Sequence, residues 1–136
     1  MTEFAKLECQ ITGFGAYGPG FTDWNSFTPY LKGEMDFNEA FTTPKPSIIP
    51  SNERRRAPLP VKLAVETSLQ AITMAQQEAS QVACVFGSGL GDTEITDYLC
   101  RALNSELKQI SPTKFHNSVH NAAAGYWTIS ANCTQA

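Results

Sequence analysis

The sequence lacks the features that mark most membrane, metal and nucleic-acid proteins. No apolar run in its 136 residues approaches the ~20 that a membrane-spanning helix needs. The opening Met1-Thr2-Glu3-Phe4-Ala5-Lys6 has an acid at position 3 and no apolar core, so no secretory signal is visible and a cytoplasmic location is expected. Cys9, Cys84, Cys100 and Cys133 lie far apart, with no C-x-x-C and no zinc-ligand spacing, which points to reduced, mostly buried thiols. Neither charge sign dominates. Ten Lys+Arg face 13 Asp+Glu for a net charge of −3, which gives no electrostatic reason to expect nucleic acid or an anionic membrane as partner.

What is present is an ordinary globular composition, 42% hydrophobic and 17% charged. The length suits one domain over 1–136, able to bury roughly two thirds of its unfolded surface without disulfide or metal staples. Leu7–Phe14 is rich in β-branched and apolar residues and predicts a first strand, followed by a glycine-dense turn from Gly13 to Gly20. Thr22 or Asp23 can cap a short helix with Trp24, Phe27 and Leu31 on one side, ending at Gly33. Glu34 to Pro60 carries prolines at 44, 46, 50, 58 and 60 and no sustained period, which predicts a long irregular surface segment.

Pro60 fits the first turn of a helix in which Val61, Val65, Leu69 and Ile72 repeat at helical spacing. Ala64, Ser68, Ala71 and Ala75 form a small-residue stripe beside them, suited to close packing against a sheet or another helix. Val82–Phe86 is a continuous apolar run, as in a strand covered on both faces. Asp92 or Thr93 can cap a helix carrying Ile95, Tyr98, Leu99, Ala102 and Leu103, and Ser118 to about Ser130 predicts a last helix with a small-residue face. This order points to an α/β architecture. Two strands make a poor sheet, so the chain is expected to be part of a larger domain or to complete its sheet with another chain.

The candidate motifs fail on their chemistry. Gly13-Phe14-Gly15-Ala16-Tyr17-Gly18 spells G-x-G-x-x-G, but Pro19-Gly20 follows at once, so no helix N-terminus can receive a pyrophosphate there. Gly87-Ser88-Gly89-Leu90-Gly91 lacks the Gly-Lys-Ser/Thr ending of a phosphate loop. It reads as a tight strand-to-helix turn where backbones approach closely. Phe86 stands where a nucleophile elbow requires glycine. His116 and His120 are four apart and could share a helix face, but Asn117 replaces the glutamate a zincin needs and no third ligand is near. Packed or interface-lining histidines, with Asn117 and Asn121 supplying hydrogen bonds, are the plainer reading. Arg54-Arg55-Arg56 is a basic run that can tie the loop to the body or bind phosphate, including the phosphopantetheine or acidic helix of a carrier protein. No cofactor and no metal is expected.

Together these segments resemble the N-terminal half of the β-ketoacyl synthases, which have the thiolase fold. The likeness runs in order from Ile11 to about Asn132. Ile11-Thr12-Gly13-Phe14-Gly15 with Pro19-Gly20 is similar to the first-strand signature, and Trp24 with Leu31-Lys32-Gly33 to the short helix after it. Arg54–Arg56 before Val61–Ile72 is similar to the basic loop and long helix, and Val85–Gly91 to the second strand and its glycine turn. Ser111-Pro112 with Asn121 and Gly125 resembles the dimer segment. The run SPTKFHNSVHNAAAGYW, Ser111–Trp127, is closer to the short ketosynthase-like proteins of aryl polyene clusters, which accompany a ketosynthase as chain-length-factor-like partners.

The resemblance implies the N-terminal portion of a thiolase-like α/β fold, incomplete without further chain or a partner. The family's nucleophilic cysteine lies well past Asn121 and Gly125, and Cys133 falls in the turn before the strand that carries it. The family's two catalytic histidines belong to the C-terminal half, and His116 and His120 do not correspond to them. No catalytic residue is therefore expected here, and the chain cannot run a condensation alone. The implied role is a non-catalytic partner of a catalytic ketosynthase subunit, in a heterodimer or larger assembly, touching the acyl carrier protein indirectly. Thr113, Lys114, Phe115, His116, Val119, His120 and Asn121 would then shape the partner's acyl tunnel across the interface. Arg54, Arg55 and Arg56 are candidate carrier-protein contacts. The alternatives are an N-terminal fragment of an active ketosynthase and a free-standing carrier-protein or acyl-binding module.

Overall fold

The computed structural model describes residues 8–135. Among them six helices follow in order: α1 (Trp24–Leu31), α2 (Ser51–Arg56), α3 (Leu59–Met74), α4 (Thr93–Asn104), α5 (Pro112–His116) and α6 (Ala122–Ser130). A short 3-10 turn lies at Ala79–Gln81.

The helix starts follow from local chemistry. The Asp23 carboxylate accepts the Ser26 N–H at 2.8 Å while the Ser26 hydroxyl oxygen accepts the Asp23 N–H at 3.1 Å, closing a reciprocal cap on α1. That backbone donor holds the Asp23 carboxyl below the usual carboxylate range. Pro60 sits in the first turn of α3, where its missing N–H leaves nothing unpaired. Asp92 caps α4 by accepting the Ile95 N–H at 3.0 Å. Ser111 caps α5 through the Lys114 N–H.

The core is built where α3 packs on α6. Val61 and Val65 of α3 are buried against Trp127 of α6, and Ala131 and Cys133 close the far end. Leu69 and Ile72 continue the expected stripe, half-buried. The proline-rich segment departs from expectation. It contains α2, and Pro44, Pro46 and Ile49 are fully buried rather than spread over the surface. Pro50 fixes the backbone just ahead of α2, and the Arg54 guanidinium donates to the Pro46 carbonyl at 2.9 Å, folding the loop onto its own helix.

Neither expected strand forms a ladder among the described residues; the one bridge there joins Gly18 to Phe21. Leu7 lies outside the described residues. Residues 13–16 lie on α3 instead, and side chains of that helix take the donors a strand partner would have taken. Phe14 N–H meets Met74 Sδ at 3.3 Å, and Ala16 N–H meets Gln70 Oε1 at 3.1 Å. The small-residue stripe of α3 thus receives an extended segment at Gly13 and Gly15, opposite Ala71 and Thr67. In 82–86, Val82, Cys84 and Phe86 are half-buried while Ala83 and Val85 are exposed, so the segment is covered on one face and not on both. Gly20 has φ +83°, and a side chain there would strike the Tyr30 hydroxyl, so this turn requires glycine.

The last helix begins at Ala122 rather than Ser118, because Asn117 ends α5 and the chain turns before α6. His116 and His120 therefore share no helix. The thiols also differ from expectation: Cys9 and Cys100 are exposed, Cys84 is half-buried and only Cys133 is buried.

Candidate functional site

Asn117 organises the region the sequence singled out. It is buried, its amide donates to the Arg56 carbonyl at 3.1 Å, and its side-chain oxygen accepts the Tyr126 hydroxyl at 3.3 Å. One side chain thus ties α5 to the end of α2 and to α6. Its partners are these groups and not the histidines. Burial raises the Tyr126 phenol above its ordinary range, with Glu53 adding to the effect.

Two clefts meet at Asn117, sharing Pro58, Asp92 and Ile95 as common walls. The first, about 490 Å³, has mainly apolar walls from Val61, Ala64, Phe86, Leu99 and Ala122, with Val119 and His120 at one side. The second, about 550 Å³, is bordered by Arg55, Arg56, Lys62, Thr113 and Lys114. Lys114 is already engaged. Its ammonium donates to Glu94 at 2.8 Å and stands 5.8 Å over the Tyr98 ring, while Tyr98 Oη accepts the Ser111 N–H at 2.8 Å. The hydrogen bond between them raises Lys114 and lowers Glu94 from their ordinary values. Arg55, Arg56 and Lys62 have no carboxylate within 4 Å among the described residues, and although Asp92 and Glu94 also line the second cleft, its four cations outnumber its two carboxylates. Lys62 was missed from the sequence. It follows Arg56 by six positions across a short break, which places it at the same end of α3.

The predicted residues divide. Val119 and His120 line the apolar cleft, and Thr113 and Lys114 the basic one. Phe115, His116 and Asn121 line neither and are exposed, Phe115 by 62%. Arg54 is separated from its neighbours in role, being spent on the Pro46 and Lys45 carbonyls. No cysteine lines either cleft. Ser88 borders the apolar one, but its hydroxyl accepts the Gly91 N–H at 2.9 Å rather than meeting a base. The glycine turn beside it is not tight against its own chain. A Cβ at Gly87 or Gly89 would meet nothing within 4 Å, which corrects the expectation of a close backbone approach there.

The family model for the β-ketoacyl synthase N-terminal domain matches residues 30–136, well over half of the chain. The chain belongs to that family. No curated protein gives a significant match. The ketosynthase assignment covers α2 through α6, the second cleft and all of the first but Tyr17, whereas the Ile11–Gly20 signature lies ahead of the matched residues. No helix among the described residues is long and apolar enough to cross a membrane.

Proposed function

We propose that this chain is a non-catalytic, chain-length-factor-like partner of a β-ketoacyl synthase in polyene or fatty-acid-type biosynthesis. One observation carries the reading: α6 buries Trp127 on one side and leaves Ile129 bare on the other. Trp127 is fully buried, whereas Ile129 is 84% exposed and Gly125, one turn before it, has open space at its Cβ position. Covering an isoleucine this exposed removes apolar surface from water and favours association. Exposed Phe115 and Val119 lie just ahead of this bare stripe, giving an apolar surface suited to a second protein. In this reading residues 113–121 form the wall that the chain lends to its partner's acyl tunnel, limiting product length by occupying volume. The extended segments 8–14 and 82–86 would enter an α/β, thiolase-like sheet only beside strands from outside this chain.

A second reading has its own support. The apolar cleft adjoins the basic one at Asn117, an arrangement suited to an acyl chain whose phosphopantetheine phosphate rests near Arg55, Arg56 and Lys62. It makes the chain a carrier-protein or acyl-binding module. Reconstitution separates the two: adding this chain to a catalytic ketosynthase, its carrier protein and extender units should narrow the product-length distribution. An unchanged distribution, with carrier binding retained by this chain alone, favours the module.

A further inference from the structure

Cys84 and Cys133 stand apart from both clefts and from the role proposed above. Their thiols share one acceptor. Cys84 Sγ donates to the Val82 carbonyl oxygen at 3.6 Å, and Cys133 Sγ donates to the same oxygen at 3.4 Å. Both sulfurs therefore lie on the same carbonyl oxygen, and burial, with the Cys133 thiol adding to it, raises the Cys84 thiol above its ordinary value. Cys133 is part of the buried core and Cys84 packs against that core from the 82–86 segment. No backbone–backbone hydrogen bond holds residues 82–86 among the described residues, so no ladder resists the shift that S–S bonding distance requires.

We propose that Cys84 and Cys133 are an oxidative modification site that closes to an intramolecular disulfide in the presence of hydrogen peroxide. Cys84 is the half-buried member and meets the oxidant first; Cys133 resolves. The Cys84 sulfur attacks one peroxide oxygen, the O–O bond breaks, and a sulfenic acid and one water result. The Cys133 sulfur then attacks the Cys84 sulfur, the S–S bond forms as the S–O bond breaks, and the hydroxyl leaves as a second water with the Cys133 proton. Two electrons pass from the two thiols to the peroxide. The bond ties the chain entering Phe86, Gly87 and Ser88, one wall of the apolar cleft, to the C-terminal end of α6, whose Ala122 and Ala123 line the same cleft.

The test uses the whole chain with its exposed thiols removed, Cys9→Ser/Cys100→Ser. This protein is treated with hydrogen peroxide, alkylated under denaturing conditions, digested and analysed by mass spectrometry. The expected result is one linked peptide pair holding Cys84 and Cys133, lighter by two hydrogens, unalkylated, and restored to two alkylated thiols by dithiothreitol. A Cys133→Ser version should instead accumulate a dimedone-trappable sulfenic acid at Cys84. Two outcomes of the first measurement overturn the proposal without recourse to that core variant. One is both thiols still alkylatable at peroxide doses that oxidise Cys9 or Cys100 in the parent chain. The other is Cys84 oxidised to sulfinic acid, or linked between molecules, while Cys133 stays free.

Discussion

Gly15 lies so close to Thr67 of α3 that a methyl group on its Cα would stand 2.8 Å from the Thr67 carbonyl carbon and 3.0 Å from its Cα. Gly13 meets Ala71 in the same way one turn along. The G-x-G letters are therefore explained by packing: they let an extended segment lie on a helix. Gly15→Ala should destabilise the protein by about 1–3 kcal/mol, the usual cost of forcing volume into a filled contact. Thermal unfolding should show Tm lower by several degrees. An unchanged Tm would mean that the 13–16 segment does not rest on α3 in solution.

Phe115→Ala removes an exposed ring that touches neither cleft. The change should leave stability within about 0.5 kcal/mol, as for other exposed positions. In the reconstituted ketosynthase assay it should lengthen or broaden the products, because the volume limiting the tunnel has gone. Identical products from an intact complex would remove Phe115 from the tunnel wall.

The three arginines should behave differently despite being adjacent. Arg54→Ala loses the bond to the Pro46 carbonyl and should lower Tm. Replacing Arg55 and Arg56 with alanine should leave Tm nearly unchanged. Carrier-protein binding should then weaken several-fold and lose much of its salt dependence, as expected when excess positive charge supplies the attraction. Titration at two ionic strengths reads both effects. A pattern in which Arg54 alone controls binding contradicts the division.

The α1 cap makes a pH-dependent contribution. The Asp23 carboxyl is held below its ordinary value when folded, so its stabilisation is complete above that ordinary value and is lost as pH falls through the depressed one. Asp23→Ala should cost about 0.5–1 kcal/mol at neutral pH, the lower part of the range for a cap because the site is exposed. Denaturant titrations of the two proteins should converge in acid, below the depressed value. A gap that persists there would assign the loss to something other than the charge.

The helices were legible in the sequence wherever a cap or a period marked them. Asp23, Pro60 and Asp92 each announced a helix start, and Val61, Val65, Leu69 and Ile72 announced the buried face of α3. The strands were not settled by their composition, because a strand exists only with a partner. Leu7–Phe14 and Val82–Phe86 have the residues for it, yet Phe14 and Ala16 found their bonds in Met74 and Gln70. α2 was hidden by the prolines around it: Pro50 reads as a breaker but here stands at a helix start, and Arg54 secures the fold through carbonyls no sequence pattern displays. The site was half legible. The stretch 113–121 borders both clefts, but the burial of Asn117 and the meeting of the clefts there depend on residues 61 and 9 positions away in the chain.

Association with a ketosynthase would run through exposed Ile129 of α6 and through Phe115 and Val119 ahead of it. Native mass spectrometry of this chain co-expressed with a catalytic ketosynthase subunit tests it most directly. The expected result is the 14.9 kDa chain bound in a stable complex with that subunit, and loss of the complex in Ile129→Asp. A 14.9 kDa species that stays free in the presence of the ketosynthase would contradict it.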